Sequence, residues 1–181
     1  MRHYFASSDE LLSHAFAVAV DRIAGRVTAA DSRLADLPPG AEEHHDAVLA
    51  LLGEFLPLDE ERAVDACVWM AFKNAARTKP FLAAEADRSH RAVAAVVGGL
   101  ILGLARAASD GAAAGGAAAD GAGVDQQVLV TEAELLLAVL DGLTMHALLQ
   151  PEWMTAQMCN DVLEAHLEGL NRRMSGLVAS R

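Results

Sequence analysis

"SSDELLSHAFAVAVDRIAGRVTAADSRL", residues 7–34, decides the fold class through its spacing. Ser7 and Glu10 form a capping box, in which the hydroxyl accepts an amide of the first turn and the acid reaches back. Leu12, Phe16, Val20, Ile23 and Val27 then recur at four, four, three and four residues. That period draws one apolar stripe down a helix, and an alternation of two would be needed for a strand. Pro38-Pro39-Gly40 stops it.

The same grammar repeats outward from there. A second helix is expected over about residues 41–55, apolar at Val48, Leu49, Leu51, Leu52 and Phe55, and closed by Pro57. A third begins after Asp59, whose side chain suits an N-cap, with Glu60 and Glu61 where the helix dipole favours acids. It is apolar on two sides, with Trp69, Phe72 and Ala76 on one and Val64, Val68, Ala71 and Ala75 on the other. Only the strip of Arg62, Ala66, Lys73 and Arg77 reads as wet. Such a helix belongs at the centre of a bundle. A fourth starts at Lys79-Pro80 and holds the uncharged run Ala92–Ala105. Gly98, Gly99 and Gly103 inside it each cost about 1 kcal/mol against Ala, which points to close approach by a neighbouring helix. Residues 109–125, "SDGAAAGGAAADGAGVD", offer nothing large to bury before Val124 and read as a flexible Ala/Gly loop. A second capping box, Thr131 with Glu134, opens a fifth helix that runs to Gln150, and a sixth starts at Thr155. The expected fold is all-α.

Composition agrees. Hydrophobic residues make up 53% of the 181, but aromatics only 4%, an aliphatic mixture suited to helix against helix. Cys67 and Cys159 give no disulfide framework and read as small buried thiols. The apolar run of 14 residues falls short of the roughly 20 that a membrane helix needs, so a buried core helix is expected, with no membrane partner. Asp9 and Glu10 occupy the place a signal peptide would fill with apolar residues, so a cytoplasmic protein is expected. At net charge −11 the chain is ill-suited to gripping phosphates by itself.

Catalytic constellations are missing from the pattern. No serine lies in a Gly-x-Ser-x-Gly setting and no strand precedes a glycine turn, so no enzyme and no cofactor are expected. Glu42 with His45 and Asp87 with His90 have the i, i+3 spacing of carboxylate-bridged metal bundles. Such a site needs two further carboxylates from the other helices at matching depth, and Glu42 sits in a first helical turn where acids are favoured anyway, so no metal is expected either. Trp69, Phe72, Met145 and His146 could line a pocket among helices. Asp141 is the polar group that stands out, a carboxylate amid Leu136, Leu137, Val139, Leu140 and Leu143.

At Met1-Arg2-His3-Tyr4-Phe5 and Asp9-Glu10-Leu11-Leu12 the chain resembles the TetR-type transcriptional regulators. The first stretch is similar to the tail of that family's recognition helix, the second to the opening of its connecting helix. "LLGEFLPLDEERAVDACVWMAF" (51–72) and "AELLLAVLDGLTMHALLQPEWMT" (133–155) resemble the BetI-type C-terminal regulatory domain. Ser8 departs from the pattern, standing where the family often has a phosphate-contacting lysine.

The resemblance implies that residues 1–6 are the residual tail of a DNA-binding domain, most of whose helix-turn-helix is lacking. A start codon assigned too late is the first explanation and a genuine truncation the second. Residues 7–181 would be the ligand-binding and dimerisation domain. Arg2, His3 and Tyr4 match positions near the DNA backbone. The implied protein is a homodimeric repressor whose small-molecule effector controls operator DNA binding. The effector would lie near Trp69, Phe72, Asp141 and Met145. The dimer would form through the fifth and sixth helices, with Leu135, Leu136, Val139, Leu143, Met158, Val162 and Leu170 as its face. The alternative is a headless protein that sequesters ligand or relatives without binding DNA.

Overall fold

The computed structural model describes residues 7–38, 41–114 and 124–179, and among them it has six helices and no strand. These are α1 (Ser8–Ala35), α2 (Glu42–Gly53), α3 (Glu60–Ala76), α4 (Pro80–Ala114), α5 (Gln126–Leu149) and α6 (Ala156–Ala179). The all-α expectation stands. Segment 1–6, with Arg2, His3 and Tyr4, lies outside the described residues, as do residues 115–123 of the Ala/Gly stretch.

Two caps form where their residues suggested. Ser7 accepts the Glu10 amide at 3.1 Å, and Asp59 accepts the Arg62 amide at 2.8 Å. The Asp59 carboxyl is held below its usual range, first by that amide. The second capping box is corrected. α5 begins at Gln126, with Asp125 accepting the Gln127 amide at 2.8 Å. Thr131 sits inside the helix and turns its hydroxyl back to the Gln127 carbonyl at 2.8 Å, a bond open to any mid-helix threonine. The expected loop start is corrected too: α4 continues through Ser109 and Asp110 to Ala114, as alanine's helix preference favours.

The main core joins the C-terminal half of α1 to α2, α4, α5 and α6 around Leu51, Leu52, Leu56, Val97, Ile101, Leu136, Leu163 and Leu170. A smaller cluster joins α1, α3 and α4 around Phe16, Phe72 and Leu82, with the Phe16 and Phe72 rings stacked 3.7 Å apart.

Three expectations about faces change. On α3 Ala66 of the expected wet strip is buried, as is Asp65, whereas Val64 and Cys67, expected on the apolar side and as a buried thiol, are exposed. The helix turns Asp65 inward to meet arginines of α1, and that rotation carries Cys67 out. On α4, burial follows one strip (Val97, Ile101, Ala105), not the whole circumference. Its residues Pro80–Asp110 are long and apolar enough to cross a membrane by length and composition. Its glycines are not close-approach sites within the protomer, since a Cβ at Gly98, Gly99 or Gly103 would meet nothing within 4 Å.

Candidate functional site

Arg22 and Arg26 lie one turn apart on α1, a like-charge pairing that costs energy unless an anion sits beside both. Asp65 of α3 is that anion, and it is 1% exposed. Its Oδ1 accepts Arg22 Nε at 3.0 Å, and its Oδ2 accepts Arg26 Nη1 at 3.0 Å. Arg26 Nε donates to Glu54, the C-cap of α2, at 3.1 Å. Glu54 also lies 3.6 Å from Arg62, whose guanidinium returns to Asp59 at 2.8 Å. One chain of charges therefore ties α1, the end of α2 and the start of α3 together. Within this cluster Arg26 Nη2 is left buried with no hydrogen-bond partner among the described residues. Near the other end of α1, Asp9 pairs with Lys79 at the α3–α4 corner.

A cavity of about 60 Å³ opens against this cluster. That volume holds roughly four waters at 10–15 Å³ each. Its charged lining comprises Arg26, Arg62, Glu54, Asp65 and Asp141, and its apolar lining includes Phe55, Trp69, Met70, Leu137 and Leu140. Thr144 stands in the same wall, its hydroxyl 3.4 Å from the Phe55 carbonyl. Trp69 is held from behind by Phe16, centroids 5.6 Å apart, and Lys73 Nζ lies 5.4 Å from its ring centre. A second hollow, an open groove of about 1,060 Å³, runs between α1, α2, α4 and α6. The smaller cavity is the stronger candidate, because convergent polar groups on an apolar wall are what a specific ligand site needs.

Of the four residues suggested for a ligand site, Trp69 and Asp141 line the small cavity, and Phe72 and Met145 do not. Phe72 is inside the aromatic stack and Met145 is exposed on α5. No hydrogen bond or ion pair reaches Asp141 among the described residues. The sequence reading missed Arg26, Glu54, Arg62 and Asp65; the paired arginines of α1 were the available signal.

The residues suggested for a dimer face also divide. Leu136, Leu143 and Leu170 are buried in the protomer's own core, and Val139 is half-buried. Leu135, Met158 and Val162 are exposed. Leu135, Ala138, Gly142, Met145 and Leu149 form an exposed stripe on the side of α5 opposite Leu136, Leu140 and Leu143, and Met158 and Val162 lie on α6. α5 is joined to α6 by Glu132, which accepts both Arg173 Nε at 2.8 Å and Nη2 at 2.7 Å. That fork holds the Glu132 carboxyl below its usual range. Beside it, burial lowers the pKa of His166, whose Nε2 has no hydrogen-bond partner among the described residues.

Residues 44–172 match the family model of the BetI-type transcriptional repressor C-terminal domain. Over 170 residues the chain is 31% identical to the HTH-type transcriptional regulator PksA of Bacillus subtilis (strain 168), covering 94% of this chain and 72% of that one. The crystal structure of a transcriptional regulator from Rhodococcus sp. Rha1 has the same fold, with a TM-score of 0.66, 24% identity, and coverage of 94% of this chain and 76% of its own. With both the helical order and the regulatory-domain match in place, the chain belongs to the TetR-type transcriptional regulators of the BetI-type branch.

Proposed function

We propose that residues 7–181 are the effector-binding and dimerisation domain of a repressor, and that a small molecule in the cavity beside Trp69 controls operator binding. The observation that carries this reading is the double place of Arg26, which lines the cavity and also ties α1 to α2 and α3. A ligand there acts on the same side chain that sets where α1 lies. α1 is the helix that would lead into a helix-turn-helix upstream of residue 1. Polar seams of this kind can re-pair in a second arrangement at small cost, which is the requirement for a two-state element biased from a distance. At net charge −11 these 181 residues alone should leave no footprint on operator DNA at physiological salt. Arg2, His3 and Tyr4 would contribute only as the end of an intact recognition helix.

Dimerisation is the second part of the proposal. The exposed stripe of α5 and the exposed Met158, Val162 and Ala165 of α6 would meet their copies in a four-helix bundle, burying roughly 1,500 Å² in total, as persistent interfaces do. The decisive test is a chain carrying the upstream helix-turn-helix, titrated with candidate effectors while operator binding and Trp69 fluorescence are followed together. Effectors that release DNA should move Trp69 fluorescence over the same concentration range. Release with Trp69 unaffected would place the effector elsewhere.

A further inference from the structure

We infer that Trp153, at the corner between α5 and α6, is the residue that locks a second copy of this chain onto the α5–α6 stripe. This rests on the reading of that stripe as the dimer face. Trp153 is 78% exposed, and Leu149, four residues earlier, is 72% exposed. No hydrogen bond or ring contact engages Trp153 among the described residues. Yet the corner that carries it is well tied. The Gln150 amide donates to the His146 carbonyl at 2.8 Å. The Trp153 and Met154 amides both donate to the Gln150 carbonyl, at 3.0 and 2.9 Å. Thr155 then caps α6 by accepting the Met158 amide at 3.2 Å. This turn sends Met154 inward against the core and holds Trp153 outside. One exposed leucine needs no explanation, but the largest apolar side chain held in water next to another does. Tryptophan is also the residue type in which interface binding energy concentrates.

The surroundings select a second copy as the occupant. Trp153 and Leu149 continue the exposed run of Leu135 and Met145 on α5 and lead into Met158 and Val162 on α6. None of these side chains is charged. The chain carries 25 acids against 14 bases, so two copies repel wherever their general surfaces meet. An uncharged run is where a copy can approach without that cost, whereas a basic partner would find no acid on it to pair with. Glu152 and Asp161, the acids nearest in sequence, are exposed and can stay in water at the rim. Area points the same way. A buried tryptophan contributes about 150–250 Å², roughly a fifth to a third of the ~800 Å² that each copy gives to a stable interface. Leu135, Met145, Met158 and Val162 are only 38–46% exposed, so the corner supplies the largest single share. In a symmetric dimer that share counts twice.

In a Trp69→Phe background Trp153 is the sole tryptophan, since the chain has two. In the dimer, acrylamide should quench its emission severalfold less than it quenches N-acetyltryptophanamide, and dilution to monomer should restore the quenching. Trp153→Ala, made in the parent chain, should raise the dimer dissociation constant at least about tenfold in sedimentation equilibrium, as the loss of an interface hot spot does. It should leave the helical circular dichroism unchanged, because the side chain lies outside both cores. A dimer whose Trp153 is quenched like the free amide, or which Trp153→Ala leaves as tight as the parent, overturns the inference and leaves the α5–α6 dimer standing. A chain that sediments as a monomer at every concentration overturns both readings. If Trp69→Phe does not fold, the comparison of Trp153→Ala with the parent still decides.

Discussion

Arg26 Nη1 donates to Asp65 Oδ2 across 3.0 Å, from a long surface-lying helix to a carboxylate that solvent barely reaches. Removing one partner of a buried pair leaves the other charge desolvated, typically at about 3–5 kcal/mol. Here Arg22 is 42% exposed and can turn to water, so the cost falls at or below the lower end of that range. Asp65→Asn should therefore lower stability by about 2–3 kcal/mol in urea denaturation. A loss below about 1 kcal/mol would mean the seam contributes little.

Phe72 makes a contrasting case. It is a stacking partner of Phe16 and fully buried. Phe72→Ala should cost about 3–5 kcal/mol, the usual figure for a large aromatic removed from a core. Effector affinity reported by Trp69 fluorescence, measured well below the melting temperature, should stay within about twofold. A large affinity change at unaltered stability would return Phe72 to the binding site.

The first helix could be read from sequence because its stripe has a single period, and Ser7 had only one role to play. Asp65 could not be read in the same way. Its partners lie 39 and 43 residues earlier, and only folding brings them to one seam. The pairing of Arg22 with Arg26 one turn on was the available hint. α5 failed for another reason. It is apolar on opposite sides, so a pattern of leucines cannot tell Leu136, inside the protomer, from Leu135, outside it. Thr131 and Glu134 have the spacing of a capping box, but Asp125 had already started the helix.

Glu132 and His166 make stability depend on pH in the same direction. Arg173 lowers the folded pKa of Glu132, and burial lowers that of His166. A group with a depressed folded pKa contributes fully above its unfolded value and loses that contribution as pH falls toward the folded value. The loss should therefore begin below about pH 6.5 from His166 and deepen below about pH 4.5 from Glu132. Melting temperature should fall along that course. His166→Gln should flatten the upper segment and Glu132→Gln the lower. A curve that keeps its slope near pH 6 in His166→Gln would remove the histidine from the account.

The exposed and buried leucines of α5 give the sharpest test of assembly, since neighbours in sequence should behave oppositely. Leu135 and, on α6, Val162 face away from the protomer core, so a charge at either position meets only water in an isolated chain. In a symmetric four-helix interface each substitution appears twice, and a desolvated charge without a partner is costly on both sides. Leu135→Glu or Val162→Arg should give a monomer by light scattering at micromolar concentration, with helical circular dichroism retained. Leu136→Ala should leave the oligomer's geometry intact while costing about 2–5 kcal/mol of protomer stability, as a cavity in a core does. If the parent chain is already monomeric, or both charged variants remain dimers, α5 and α6 are not the interface.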